Sequence, residues 1–362
     1  KHSLKKSKYL FSFCPVIRLL TNNVFLLTTN NSALILPTDN QTKLSKLNSF
    51  MKQLFLWACA SLIGVQSVAQ TDKLWYDSPA KALVEALPIG NGHLGAMVFG
   101  RTGKELIQLN HTDFWSGAPK DWNNHNAAQY FPEVKALMKQ KKYAEAEELS
   151  KKLQGAFTQS YQPLADLTMT FSDTTQIGEY YRDLDLNTST THVRYSTPKA
   201  TYKRELLVSF PDKAMAMRLT ANGGRSLGFM IGASSLMKNK VWVDGNILKI
   251  RLKAPKHVEP NYRGGFKPEE AVQYDDWNGE GMEAEVWVQI KSATGKVSVK
   301  DNQLVLENAS EAEVYVVAAT SYNGRFKSPG LEGLEPSKQA GEWMRLASGR
   351  SYESIQIGRA HV

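Results

Sequence analysis

The stretch LPIGNGHLGAMVFG, Leu87 to Gly100, decides how the chain is read. Gly90 and Gly92 flank Asn91, a composition that tolerates positive φ, and no charged side chain follows until Arg101. This predicts a tight turn followed by a buried strand. Its partner, IQLNHTDFWSGAPKDWNN, Ile107 to Asn124, opens as a strand ending near Leu109 and breaks into a loop carrying Asn110, His111, Thr112, Asp113, Trp115 and Trp122. A mere connector does not need that density of aromatic and hydrogen-bonding groups. Taken alone, a Gly-Asn-Gly turn is more often a plain hairpin, and tryptophans can simply cap a sandwich core.

Outward from this pair, short apolar or β-branched runs alternate with Asn, Asp, Gly and Pro. Residues Phe131 to Leu153 change period: Val134, Leu137 and Met138, then Tyr143, Ala146, Leu149 and Leu153, recur at helical spacing, with Pro132 suited to a first turn. That predicts a short helical hairpin between strands. Strand structure resumes over Gln154 to Phe171 and continues through YYRDLDLNTSTTHVRYS, TYKRELLVSFP and MAMRLTA. Further strands are expected over Val241 to Leu252 with an Asp244-Gly245 turn, Met282 to Ile290, Val297 to Leu306 and Val314 to Thr320. In the second of these Met282, Ala284, Val286, Val288 and Ile290 share one face, which puts Glu283 and Glu285 on the solvent side. Pro255 to Trp277, rich in Pro, Gly and charge, reads as a long loop, and Pro336 opens a helical stretch, SKQAGEWMRLASG. The expected fold is all-β: a large antiparallel β-sandwich over residues 70–330 with a short helical insertion, then the start of an α-helical linker over 331–356.

The formal net charge of the 362 residues is +9, but eight of the 44 basic residues and one of the 35 acidic ones precede Gln70. From there on the balance is about +2 with the two signs interspersed, so a phosphate-tracking surface and a nucleic-acid partner are not expected. Residues 1–50 read as translated upstream sequence. MKQLFLWACASLIGVQSVAQ, from Met51, has the basic head, apolar centre and small residues of a signal peptide over 51–69, which implies a secreted or periplasmic product with no membrane attachment after cleavage. Cys14 and Cys59 both precede Gln70, leaving neither a disulfide framework nor a thiolate metal site. The terminal IGRAHV, Ile357 to Val362, back-translates to a sequencing-adapter string and is expected to be extraneous.

The two opening stretches, together with YQPLADL at Tyr161 to Leu167, resemble the opening domain of the alpha-L-fucosidases of glycoside hydrolase family 95, where GNGRLGAMVFG is followed by LNEDTLWSG and YQPLGDL. Here His93 stands for the usual Arg, His111, Thr112 and Asp113 for Glu-Asp-Thr, and Ala165 for Gly. The likeness runs from about Leu74 to Ile355. It implies a secreted inverting enzyme removing terminal fucose from glycans, with L-galactose as the alternative sugar. Its acid, a glutamate, and its water-activating asparagine and aspartate would lie on an (α/α)6 helical barrel after the linker, so no catalytic residue is assigned within this chain. The partners implied are a fucosylated glycan and that barrel; no cofactor is expected. Asn91, His93, Trp115, Tyr161 and Gln162 are the candidate substrate-binding residues, each joining turn-forming or aromatic character to a hydrogen-bonding group at a strand end.

Other chemistries have weaker support. HExxH and phosphate-loop motifs are absent, and His93 with His111 has no clear carboxylate third partner for a metal. A free-standing carbohydrate-binding or structural sandwich is the competing reading.

Overall fold

The structure, a computed structural model, describes residues 72–224 and 226–359. The upstream stretch, the expected signal peptide and residues 360–362 lie outside the described residues. The strands in chain order are β1 (Lys73–Tyr76), β2 (Leu87–Gly90), β3 (Leu94–Val98), β4 (Lys104–His111), β5 (Ala165–Phe171), β6 (Tyr180–Asp185), β7 (Thr190–Ser196), β8 (Ala200–Ser209) and β9 (Ala214–Gly223). They continue as β10 (Leu227–Ser234), β11 (Lys238–Asp244), β12 (Ile247–Lys253), β13 (His257–Val258), β14 (Val272–Gln273), β15 (Glu283–Lys291), β16 (Lys296–Lys300), β17 (Gln303–Ala309) and β18 (Glu311–Thr320). Helices are α1 (Ala127–Lys139), α2 (Tyr143–Ser150), α3 (Pro268–Ala271), α4 (Pro336–Ser348) and α5 (Tyr352–Arg359).

Two large sheets result, as the strand pattern predicts. One has nine strands in the order β1-β6-β7-β8-β9-β18-β15-β12-β11, the other seven in the order β16-β17-β10-β5-β4-β3-β2, and every pairing within them is antiparallel. Their facing surfaces form one continuous core. Val98, Ile107, Leu109, Leu167 and Met169 from the smaller sheet meet Met215, Leu219, Val286, Val288 and Val316 from the larger. The alternation that places Ala284, Val286, Val288 and Ile290 inward in β15 is therefore correct.

The opposite face of β15 departs from expectation. Glu283 and Glu285 are buried, not solvated, because α4 lies across the outer surface of the nine-stranded sheet. Ala340, Met344 and Ala347 of α4 and Tyr352 and Ile355 of α5 pack on Tyr315, Val317, Ala319, Leu207 and Ala216, forming a second apolar layer. Gly341 permits the close fit, since a Cβ there would come within 3.2 Å of the Trp287 ring. Arg251 answers the buried acids, donating through Nε to Glu283 at 2.7 Å and through Nη1 to Glu285 at 3.2 Å and to Glu335 at 3.3 Å. Glu335 is itself the N-cap of α4, accepting from the Ser337 amide, so the same guanidinium fastens the helix start to the sheet.

Smaller departures have local causes. Val297 to Leu306 is two strands, not one, because Asp301 and Asn302 take positive φ (49° and 56°) and make a two-residue hairpin turn. β10 is not among the expected strands; Gly228 and Gly232 interrupt its apolar run. In the sheet they allow close approach, as a Cβ at Gly228 would stand 2.6 Å from Ser172 Oγ. Pro132 lies inside α1, not in its first turn. Pro255 to Trp277 carries the small β13-β14 ribbon and α3 within its irregular path.

Candidate functional site

The Asn91 turn joins β2 to β3. Its side-chain oxygen accepts from the amides of His93 (3.0 Å) and Leu94 (2.8 Å), while Nδ2 donates to the Ser209 carbonyl at 2.8 Å, at the end of β8 in the other sheet. Asn91 is thus a brace between sheets whose amide is already engaged. Gly92 sits at φ +86° with open space where a Cβ would be, so Gly92→Ala should cost only the left-handed backbone penalty, about 1–2 kcal/mol in a urea unfolding measurement. An unchanged midpoint would mean that the turn relaxes to another conformation.

The turn presents His93, whose ring stacks on Phe210 (centroids 5.9 Å apart, planes at 21°) and lies 6.4 Å from the ring of His111. Lys213 Nζ covers the Phe210 ring at 3.6 Å. His111 continues the inward-facing series Glu105, Ile107, Leu109 at the end of β4, two residues past the expected strand end. It is buried, and its Nδ1 accepts from the Asp113 amide at 3.3 Å, the geometry of a neutral imidazole. Burial pushes its pKa down to about 4, the nearby Asp113 carboxylate opposing and His93 adding to the fall.

Asn91, His93, His111, Asp113 and Lys213 line a cleft of about 210 Å³. Its remaining wall is built by Leu94 of β3, Ala318 and Thr320 of β18, Tyr322 just beyond, and Gln339 and Trp343 of α4. The covering helix therefore also shapes the site.

Trp115 and Tyr161 come together beside this cleft. An isolated bridge pairs their backbones, the rings meet edge to face at 5.3 Å, and each is 43% exposed. The Trp115 indole donates to the Thr112 carbonyl at 2.9 Å, fixing its plane. Gln162 is placed differently: it is buried, its amide donates to the Phe114 carbonyl and its side chain to the Ser160 carbonyl, so it supports the loop from beneath and is not in the wall of this cleft. Of the five candidates, Asn91 and His93 share the first cleft, Trp115 and Tyr161 form an exposed aromatic pair, and Gln162 belongs to the scaffold. His111, Asp113, Lys213, Tyr322, Gln339 and Trp343 join the site without having been selected from the sequence. Only the first two carried a signal, as polar members of the loop already singled out.

Residues 74–325 match the family model described as "Glycosyl hydrolase family 65, N-terminal domain". The chain belongs to this family. The expectation of a glycoside hydrolase N-terminal domain holds at this level. Among relatives of this family 65 N-terminal domain, "Alpha-L-fucosidase 2" of Arabidopsis thaliana is 27% identical over 309 residues, covering 83% of this chain and 36% of that protein. "Probable alpha-fucosidase A" of Aspergillus oryzae is 24% identical over 273 residues (73% and 35%), and the protein of the same name from Aspergillus niger is 30% identical over 164 residues (42% and 20%). The chain spans about a third of the length of the first two relatives.

Proposed function

We propose that this chain is the N-terminal sandwich of an exported, inverting alpha-L-fucosidase of the family 95 type, which removes terminal fucose from glycans. In this reading the sandwich shapes one wall of the sugar pocket, and a helical barrel following α4 and α5 performs the proton transfers. The observation that carries it is the convergence of the Asn91 turn, buried neutral His111 and the linker helix on one cleft, with the exposed Trp115–Tyr161 pair beside it. A rigid aromatic edge next to fixed hydrogen-bonding groups suits the mixed apolar and hydroxylated surface of a sugar. The names of the relatives support the choice of fucose.

Joined to its full-length parent, the protein should release L-fucose from an aryl fucoside, and the chain alone should release none. Fucose release by the purified chain alone, abolished by a substitution within residues 72–359, would overturn the division of labour. In the full-length protein Trp115→Ala should lower kcat/KM by about 5- to 150-fold, the equivalent of about 1–3 kcal/mol, and Tyr161→Phe should report the phenol's separate share. If both variants melt like the parent and neither moves kcat/KM by more than about twofold, the pair is packing and the assignment fails.

A further inference from the structure

A second cleft, of about 220 Å³, lies on the other side of Tyr322, which lines both. Trp115 forms part of its wall, and the carbonyl that holds the Trp115 indole belongs to Thr112, next to Asp113 of the first cleft. The two clefts are of similar size, about 210 and 220 Å³, and Tyr322 is the wall they share.

The second cleft differs in charge. Trp115, Trp122 and Tyr322 give it aromatic walls, Arg325 and Lys327 give it two cations, and no carboxylate lines it. Among the described residues neither cation enters an ion pair; the Arg325 guanidinium rests 4.5 Å from the Phe326 ring centroid, which leaves its planar donor fork open. Lys120, 4.3 Å over the Trp122 ring, adds a third positive charge at that wall. Aromatic faces next to unpaired cations suit a sugar ring that carries an anionic substituent.

The geometry points to a second subsite, formed by Trp115, Trp122, Arg325 and Lys327, that binds an acidic sugar residue of a glycan whose terminal sugar occupies the first cleft. This rests on the proposed sugar-binding role of the first cleft, and it narrows the substrate to glycans bearing a uronate or a sulfate ester near the released sugar.

The test uses acidic oligosaccharides without fucose, so that its outcome is independent of fucose release. By calorimetry at low ionic strength, trigalacturonate and a sulfated galactotriose are compared with neutral galactotriose, on the chain and on the full-length protein. At least one acidic ligand should bind tenfold or more tightly than the neutral one, and the tighter of the two identifies the substituent. The double variant Arg325→Ala/Lys327→Ala should lose that preference with an unchanged melting temperature, and Trp115→Ala should weaken acidic and neutral ligands alike. Equal affinity for all three, absence of binding, or a preference that survives the double variant overturns the subsite. A preference present in the chain but missing in the full-length protein also overturns it, and assigns the cations to an acidic surface of the adjoining domain.

Discussion

Arg204→Ala is expected to cost about 3–5 kcal/mol of folding stability, enough to threaten the sandwich as a whole. Arg204 and Glu105 form an ion pair between the two sheets, both almost fully buried (3% and 1% exposed). The surroundings are built around the pair: Glu105 also accepts from the Gly100 amide at 2.9 Å, Arg204 donates to the Arg101 carbonyl at 2.7 Å, and the guanidinium lies 4.9 Å from the Phe171 ring. Burial raises the Glu105 pKa, and the charge of Arg204 and the neighbouring amides oppose the rise. Without Arg204 that opposition weakens, and the carboxyl must either stay charged without its partner or take up a proton. Glu105→Leu/Arg204→Met should recover most of the loss, because removing both partners leaves no orphaned charge. Urea unfolding of Glu105→Leu, Arg204→Met and the double variant completes the cycle. An Arg204→Ala cost below about 1 kcal/mol would mean that water reaches Glu105 and that the pair is superficial.

The second large effect is on pH. His111 has an ordinary pKa of 6.5 and a folded value of about 4, so between these limits the unfolded chain binds a proton that the folded chain refuses. The stability conferred by the neutral, buried ring is fully present above pH 6.5 and is lost as pH falls towards 4. At about 1.4 kcal/mol for each pH unit of that gap, the loss approaches about 3 kcal/mol, an upper bound because Asp113 remains partly exposed. His111→Asn keeps an acceptor for the Asp113 amide and removes the titration. The stability difference between parent and variant, measured by urea unfolding at pH 7 and pH 4, should therefore shift in favour of the variant by about 2–3 kcal/mol. A pH-independent difference would show that the ring is already solvated.

Both groups were legible in principle. Glu105, Ile107, Leu109 and His111 stand at alternate positions of one strand, and the two apolar members fix which face is inward. The same logic misled in β15, where the face opposite the core carries Glu283, Glu285 and Trp287. Alternation tells which residues share a face, but it does not tell what covers that face. The covering was written elsewhere, in the VYVVAA run of β18, where Val314 to Ala319 is buried without interruption and both surfaces must therefore be packed. The meeting of Trp115 with Tyr161 was legible only as two motifs, because their contact depends on a bridge between distant segments. Lys213, Gln339 and Trp343 gave no signal at all. Lys213 enters from the β8–β9 turn, and the place of Gln339 and Trp343 follows from how α4 crosses the sheet, which no local pattern encodes.

That crossing sets a constraint of phase on α4. Gln339 and Trp343, one turn apart, look into the cleft, while Ala340, Met344 and Ala347 look onto the sheet, and Glu335 pins the first turn through Arg251. Each residue advances the helix by about 100°, so one inserted residue after the pinned turn would swing Trp343 out of the cleft and drive a polar side chain against Val317. Substitutions at Gln339 can retune the cleft without this penalty. The helix can therefore vary in letter but not in length, and the loop before it, which carries Tyr322, Arg325 and Lys327 to the two clefts, is held to its own length by the Leu334 amide bonded to the Ser321 carbonyl and by the Asn323 side chain bonded to the Glu332 carbonyl.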